Sequence, residues 1–269
     1  MESSIPQSHN GLALGRALFF EFLGTMGVVY AFNFTANNYF QRAMTYFAFW
    51  VLAVAISGAH FNPATTLAVY LAEGKFGKQI GRLLLYWLFQ LMGAFAGILM
   101  VYLIFNEPVQ GYFLWPSQNI VGNAGATRFF SEFLNVYYGK ILFLEMFATF
   151  IFCYVYLNVI YSPTLRTVDE ILKGIAVALV LYICYAMGAG SGSGLNPALA
   201  IAQTCYQVGF LNAFDLDGNR FASACWCYIA FPLIGAIFAA ILFRIRVALD
   251  NRALKQRDIG VEGREEVAA

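Results

Sequence analysis

Apolar residues along the chain fall into six stretches of helix length, with polar residues gathered between them: 16–35, 42–58, 80–105, 140–161, 172–189 and 223–245. A stretch of about 20 apolar residues crosses the hydrocarbon core of a bilayer. Two more apolar stretches, 62–72 and 196–207, are too short to cross alone, and each begins at an Asn-Pro pair. The pattern predicts an all-α membrane protein with six transmembrane helices and two re-entrant half-helices.

The composition supports a membrane setting. Hydrophobic residues make up 60% of the chain and charged residues 12%, whereas a soluble domain carries roughly a quarter charged residues. The sequence lacks the alternating polar and apolar strands of a membrane barrel, so the spanning elements are helices. The net charge of +1 implies no bulk attraction to nucleic acid, and we expect none as a partner.

Residues suited to catalytic or metal chemistry are few. His9 and His60 are the only histidines, and no nucleophile with a base, metal-ligand cluster or phosphate-binding loop is evident. We therefore expect neither an enzyme nor a bound cofactor or metal. The five cysteines lie in or beside apolar stretches without metal-ligand spacing, and we interpret them as packing residues rather than as disulfides or ligands: Cys153, Cys184, Cys205, Cys225 and Cys227.

Basic residues divide unevenly between the two sides that six crossings define. With both termini in the cytoplasm, twelve Lys and Arg residues fall on the cytoplasmic side and four on the other, as the positive-inside rule favours. The chain then divides into a cytoplasmic tail at 1–15, a membrane domain at 16–245 and a cytoplasmic tail at 246–269. The second tail is basic with interspersed acids, so it is either a solvated, partly disordered segment or a contact for anionic lipid.

The membrane domain contains an internal repeat, with one copy at about 16–105 and the other at about 140–245. The matching motifs occur in the same order: Glu21 to Thr25 with Glu145 to Thr149, and Asn62-Pro63-Ala64 with Asn196-Pro197-Ala198. Because each copy has three spanning helices, the second enters the membrane from the opposite side. The repeat is therefore inverted, and its two short broken segments are expected to meet at the midplane.

Each Asn-Pro-Ala motif is a helix-start signal. Asn62 and Asn196 can cap free backbone amides, and Pro63 and Pro197 take the first helical position, where no amide partner is needed. Inside a membrane such a start is costly unless the irregular backbone before it lines a wet cavity, so two of them indicate a pore. Half-helices that meet at their N-termini present two positive dipole ends, which disfavour cations at the centre.

The sequence resembles the major intrinsic protein family of aquaporins and glycerol facilitators over about residues 16–245. The similarity rests on Ser-Gly-Ala-His-Phe-Asn-Pro-Ala-Thr-Thr at 57–66, Gln90 with Gly93-Ala94, Glu145 with Thr149-Phe150, and Trp226-x-Tyr228 with Pro232-x-x-Gly235-Ala236. The resemblance implies a right-handed bundle that passes water or small neutral solutes and excludes ions and protons. It also implies a homotetramer with a pore in each subunit.

The resemblance assigns roles to several polar residues. It implies that Asn62 and Asn196 donate hydrogen bonds to the passing molecule and that Glu21 and Glu145 hold the loops before the half-helices. From the residues alone, each glutamate could instead face lipid or relay protons, although an intramembrane carboxylate rarely lacks a partner. His60 is either a donor that lines the pore or a residue buried in loop packing.

The main departure from the family pattern is Leu199, since most members have an arginine directly after the second motif. In this respect the sequence resembles the divergent superaquaporin subfamily, in which the arginine is also missing. Counting back without gaps, the other outer constriction positions are Arg42, Cys184 and Ser193. We hypothesise that Arg42 swings into the outer mouth and partly replaces the missing guanidinium; the alternative is that it snorkels to the membrane interface.

Small Cys184 and Ser193 beside Leu199 predict a wider, less polar outer filter than a strict water channel has. We predict a channel for water and other small neutral solutes; the alternatives are a glycerol or hydrogen peroxide facilitator and a poorly conducting structural or adhesive protein. The insert at 212–223 is typical of glycerol facilitators, whereas Ala200 stands where those carry an aspartate. Plasma and intracellular membranes both remain open as the location, and Asn33-Phe34-Thr35 is a candidate glycosylation sequon.

Overall fold

The computed structural model describes residues 11–35, 38–105, 129–161, 169–213 and 219–268. Within these ranges the chain forms a short 3-10 turn at Gly188–Ser191 and eight α-helices: α1 (Gly11–Phe34), α2 (Tyr39–Ser57), α3 (Pro63–Glu73), α4 (Phe76–Phe105), α5 (Phe129–Tyr161), α6 (Glu170–Met187), α7 (Pro197–Ala213) and α8 (Asn219–Ala268). The described ranges contain no strand. The all-α fold class is confirmed.

Six of the described helices are long and apolar enough to cross a membrane: α1, α2, α4, α5, α6 and α8. Their outward sides carry large exposed apolar residues, such as Leu84, Leu88 and Phe95 on α4. These three recur at the spacing of one helix face, which suits contact with lipid chains. The six predicted spans are confirmed.

The last helix continues well past the predicted end of its span. α8 runs to Ala268, so the interpretation of 246–268 as partly disordered is wrong. The sequence of α8 has no proline after Pro232 to stop the helix. Arg246 Nε also lies 3.7 Å from Asp250 Oδ2, one turn further along the helix. An ion pair at this spacing supports helical structure.

The two half-helices begin at the proline of each Asn-Pro-Ala motif. Asn62 precedes α3 with an extended backbone, and its side chain accepts a hydrogen bond from the N–H of Ala64. α3 has 11 residues, which gives a length of about 16 Å, roughly half of the hydrocarbon core. It ends at Gly74, in the left-handed conformation with φ of 69°. The re-entrant half-helices are therefore confirmed.

We call the side at which α1 begins and α2 ends the inner face, and the opposite side the outer face.

The inverted repeat is visible in how the long helices pack. α1 packs on α4, and α5 packs on α8. A Cβ added to Gly93 of α4 would lie 2.2 Å from the carbonyl oxygen of Phe22, and one added to Gly235 of α8 would lie 2.3 Å from that of Met146. Phe22 directly follows Glu21, and Met146 directly follows Glu145, so the two carbonyls belong to matching positions of the repeat. The same close crossing thus occurs once in each half.

A few features from the sequence lie outside the described residues. They are the tail residues 1–10 with His9, the basic residues Arg128 and Arg166, and 214–218 within the predicted insert.

Gly93→Ala is expected to destabilise the protein, because the new methyl group meets the carbonyl oxygen of Phe22 and the two helices must move apart. Overpacking of this kind costs about 1–3 kcal/mol. The measurement is the midpoint of thermal unfolding of purified protein in detergent. Gly81→Ala on the same helix is the matched control, since nothing lies within 4 Å of a Cβ added there. Equal midpoints for the two variants would contradict the close crossing.

Candidate functional site

The chain between α2 and α3 turns back inside the bundle through buried residues. Gly58, Ala59 and Phe61 have left-handed backbones, with φ of 91°, 56° and 52°. This conformation costs a residue with a side chain about 1–2 kcal/mol, so the surrounding structure has to hold the loop in place.

Glu21 of α1 provides that support for the first loop. Its Oε1 accepts hydrogen bonds from the Ser57 hydroxyl at 2.7 Å and from the His60 N–H at 3.0 Å. Its Oε2 accepts from the Phe61 N–H and from the Gln90 side chain, both at 2.7 Å. The carboxyl group is fully buried. One side chain therefore satisfies two loop amides that have no water to bond inside the membrane.

Glu145 of α5 does the same for the second loop. Its Oε1 accepts from the Ser191 hydroxyl at 2.5 Å and the Gly194 N–H at 3.1 Å, and its Oε2 accepts from the Leu195 N–H at 2.7 Å. Gly192, Ser193 and Leu195 have φ of 97°, 56° and 49°, close to the angles of the first loop. The two loops thus share one backbone shape and one kind of support.

The asparagines of the two motifs join the loops to each other. Asn62 Nδ2 donates to the Leu195 carbonyl at 2.8 Å, and Asn196 Nδ2 donates to the Phe61 carbonyl at 2.9 Å. Each side-chain oxygen also caps its own half-helix by accepting from the alanine N–H two residues on. The N-termini of α3 and α7 are therefore held facing each other at the centre of the bundle.

A narrow cavity lies at this meeting point. Four spanning helices and both loops contribute to its wall, which consists of Val28, Tyr46, His60, Phe61, Asn62, Phe152, Leu181, Tyr185, Gly194, Leu195 and Asn196. His60 is buried; its Nδ1 lies 3.2 Å from the Thr66 hydroxyl, and its Nε2 has no hydrogen-bond partner among the described residues. The His60 ring lines this cavity and packs near Tyr86 and Tyr156, while its role in a pore stays a prediction.

A sequence model of the major intrinsic protein family matches residues 39–243. The chain belongs to this family. It is 27% identical to the lens fiber major intrinsic protein of Gallus gallus, with 80% of the chain and 70% of that protein covered. It is 30% identical to the glycerol uptake facilitator protein-like 6 of Lactiplantibacillus plantarum, with 71% of the chain and 75% of that protein covered.

A solved structure supports the fold. The aquaglyceroporin from Plasmodium falciparum matches with a TM-score of 0.67 at 19% identity, covering 88% of this chain and 98% of that chain. Aquaporin-5 of Homo sapiens is 26% identical, with 94% of the chain and 88% of that protein covered. The family resemblance seen in the sequence is confirmed.

The four positions that family counting assigns to the outer filter do not line the central cavity. Leu199 is fully buried in an apolar cluster that includes Phe32. Cys184 lies in the main apolar core, and the Ser193 hydroxyl donates to the carbonyl of Tyr185 at 2.5 Å. Three of the four side chains are therefore taken up by packing or by backbone contacts.

Arg42, the fourth position, is buried near the outer face. Its side chain is 3% exposed, so the alternative that it snorkels to the membrane interface is wrong. Its Nε donates to the Thr35 hydroxyl at 3.2 Å, and its guanidinium carbon lies 4.3 Å above the centre of the Phe32 ring.

Asn33 and Gln203 form a buried pair that the sequence analysis did not find. Asn33 Nδ2 donates to Gln203 Oε1 at 3.0 Å, and Gln203 Nε2 donates to Asn33 Oδ1 at 3.1 Å. The pair ties the end of α1 to α7. Because Asn33 is 6% exposed and its amide is engaged in this pair, the sequon at this position is not open to a glycosylating enzyme in the folded protein.

Glu21→Gln is expected to lower stability by about 1–3 kcal/mol, because the amide nitrogen that replaces one oxygen faces hydrogen-bond donors on the loop. The thermal unfolding midpoint in detergent measures the loss. Glu170→Gln is the control, since the Glu170 side chain is 55% exposed and pairs only with Lys173 in the same helix turn. An unchanged midpoint for Glu21→Gln would show that the carboxylate does not hold the loop.

Proposed function

We propose that the chain is a passive channel for water and other small neutral solutes, which pass through the central cavity. The observation that carries this proposal is the arrangement of Asn62 and Asn196. A side-chain amide has two N–H donors, and each asparagine uses one of them to bind the opposite loop. The remaining N–H of each amide is available to a solute in the cavity that both residues line.

The same site disfavours ions. Two half-helix N-termini face the cavity, and their positive dipole ends repel cations and protons. The wall of the cavity contains no carboxylate or other charged side chain among the described residues. An ion would lose its hydration there without a compensating partner, which costs several kcal/mol. Glu21 and Glu145 act as loop supports in this proposal rather than as a proton relay, because their oxygens already accept loop hydrogen bonds.

Arg42 supplies the outer cation that Leu199 lacks. It belongs to α2 rather than to the half-helix, yet its side chain is buried inside the bundle at the outer end, on the ring of Phe32. A fixed positive charge at this point adds a second barrier to cations. It also leaves the filter less polar on the side where Leu199 packs.

Transport of glycerol is the second candidate function. Much of the cavity wall is apolar, including Val28, Phe152 and Leu181, and such a surface suits the carbon backbone of a polyol. The similarity to a glycerol uptake facilitator-like protein at 30% identity points in the same direction. A structural or adhesive role with little conduction is the rival to both.

The proposal also covers the assembly of the channel, its contact with lipid and its orientation in the membrane. We propose a homotetramer with one pore in each subunit, embedded in lipid through the exposed apolar helix faces. Both termini lie in the cytoplasm, because the inner face then carries most of the basic residues. The host membrane is either the plasma membrane or an intracellular one.

The test of the function is the osmotic response of vesicles that contain the purified protein. Shrinking rates after an osmotic step with an impermeant sugar report water flux, and the reswelling phase with glycerol reports glycerol flux. We expect water flux above that of empty vesicles without a potassium current. Glycerol flux without comparable water flux would favour the second candidate. Water and glycerol fluxes both equal to those of empty vesicles would leave only the structural role.

Asn62→Asp is expected to lower water flux about tenfold. The substitution keeps an oxygen to cap α3 but removes both N–H donors, and a hydrogen bond to the solute is worth about 1 kcal/mol or more. The shrinking rate per reconstituted protein measures the effect. Asn38→Asp is the matched control. Asn38 is exposed and caps α2 through its side-chain oxygen, a role that aspartate also fills. Equal flux in both variants would contradict the role of the Asn62 amide.

Arg42→Ala is expected to raise the ratio of glycerol flux to water flux and to let a cation leak appear, because the outer charge and its bulk are both removed. Vesicle reswelling and single-channel currents in planar bilayers measure the two effects. Arg16→Ala, at an exposed position near the start of α1, serves as the control. Unchanged selectivity and unchanged ion exclusion in Arg42→Ala would remove Arg42 from the filter.

A further inference from the structure

Three tyrosine hydroxyls bind three successive carbonyls of the first re-entrant loop. Tyr86 of α4 donates to the Ser57 carbonyl at 3.0 Å, Tyr156 of α5 donates to the Gly58 carbonyl at 2.5 Å, and Tyr46 of α2 donates to the Ala59 carbonyl at 2.9 Å. All three side chains are buried. The loop between the inner face and the meeting point of the asparagines is thus covered by phenol groups from three helices.

The second loop shows which of these contacts belongs to the fold. Tyr228 donates to the Ser191 carbonyl, and Ser191 is the counterpart of Ser57 in the repeat. The contact of Tyr86 is therefore repeated in both halves and serves the fold. The counterpart of Tyr156 in the first half is Phe32, which lies as far after Glu21 as Tyr156 lies after Glu145.

The counterpart of Tyr46 also lacks a hydroxyl. Tyr46 lies 16 residues before Asn62, and Val180 lies 16 residues before Asn196. Neither Phe32 nor Val180 can donate a hydrogen bond from its side chain. The contacts of Tyr46 and Tyr156 are thus additions to the inner half, made on top of a loop that the repeat already supports with a glutamate and a tyrosine.

These two tyrosines act where a solute needs the loop. In a narrow pore, the carbonyls of irregular backbone accept the hydrogen bonds that a solute gives up with its hydration water. A carbonyl oxygen has two lone pairs, and a tyrosine hydroxyl takes one of them at Ala59 and one at Gly58. A solute that reaches these two carbonyls has to share each oxygen with a tyrosine hydroxyl.

The ring of Tyr46 lines the central cavity, and the ring of Tyr156 packs behind that of His60. Tyr46 lies edge-on to Phe61 and to Phe152, with ring centres 5.6 Å and 6.0 Å apart, and all three line the central cavity. The ring of Tyr156 lies edge-on to that of His60 at 5.9 Å. We call these rings the aromatic collar: Tyr46, His60, Phe61 and Phe152 line the cavity beside the asparagines, and Tyr156 packs behind His60.

We propose that Tyr46 and Tyr156 limit flux through the inner half of the pore, with their hydroxyls competing for the loop carbonyls and their rings setting the largest solute that passes. The proposal rests on the proposed channel function. It places a second selectivity element at the aromatic collar, beside the asparagines. A residue that only braced the loop would change stability when altered, but not flux or solute size.

Tyr46→Phe and Tyr156→Phe test the hydroxyls, because each removes one oxygen and keeps the ring. We expect each variant to raise water flux per protein about fivefold, the factor that one typical net hydrogen bond implies for a barrier. The temperature dependence of the flux should fall as well, since fewer hydrogen bonds must break during passage. Tyr182→Phe is the matched control, because that phenol is exposed on the outward side of α6. Its flux should equal that of the wild type.

Tyr46→Leu tests the ring. We expect it to raise glycerol flux more than water flux, whereas the two phenylalanine variants should raise both in similar proportion. Unfolding midpoints in detergent check that each reconstituted variant is folded, and either of the two phenylalanine variants is sufficient for the test. Flux at or below the wild-type value in folded Tyr46→Phe or Tyr156→Phe would overturn the proposal while leaving a conducting wild type intact.

The remaining outcomes separate the two proposals. If the wild type and every variant behaved like empty vesicles, the channel function and the role of the tyrosines would both be overturned. If the wild type barely conducted but the phenylalanine variants did, the tyrosine proposal would be supported, and the low flux of the wild type would be explained by its aromatic collar.

Discussion

A carboxylate that accepts the N–H groups of a loop is the contact on which the whole centre of this protein depends. A helix that begins in the middle of a membrane leaves loop amides without water, and each unsatisfied group costs several kcal/mol. Glu21 and Glu145 meet this demand from α1 and α5. Only with the loops fixed in their left-handed turns do Asn62 and Asn196 reach across to each other's loop. The cavity is a consequence of these contacts.

The comparison of the two halves separates what builds the fold from what gives this chain its own properties. The glutamate, the loop angles, the close helix crossing and one tyrosine occur in both halves. Other positions differ. Gln90 donates to Glu21, whereas its counterpart is Pro232, which has no donor at all, so Glu145 receives one hydrogen bond fewer.

The sequence predicted the parts of the structure that have a local signal. Runs of apolar residues gave the spans, and Asn-Pro gave the starts of α3 and α7, because capping depends on neighbours in the chain. The Asn33–Gln203 pair has no such signal, since its members are 170 residues apart. The tail after residue 245 was also misread, because its mixed charges suit a solvated helix as well as a disordered segment.

Positions around the outer filter show a further limit of counting along the chain. The count placed Arg42 correctly on α2 but could not tell whether its side chain turned inward, since that depends on the rotation of the helix. The tyrosine contacts with the first loop were missed for the same reason: the direction of a phenol is set by packing between helices, and an apolar stretch with a tyrosine in it reads as ordinary core. Both gaps concern side-chain direction, and the element that bears the residue was predicted in each case.

The burial of Arg42 is informative because the dipole of its own helix disfavours a cation at this position. Arg42 is the fourth residue of α2 and therefore lies in the first turn, where the positive end of the helix dipole disfavours a cation by about 0.3–1 kcal/mol. Removal from water adds a larger cost, which the ring of Phe32 and the hydroxyl of Thr35 offset in part. A cation held against both effects does not stabilise its own helix. Its position near the outer end of the bundle, on the ring of Phe32, agrees with the electrostatic role in the pore that we propose for it.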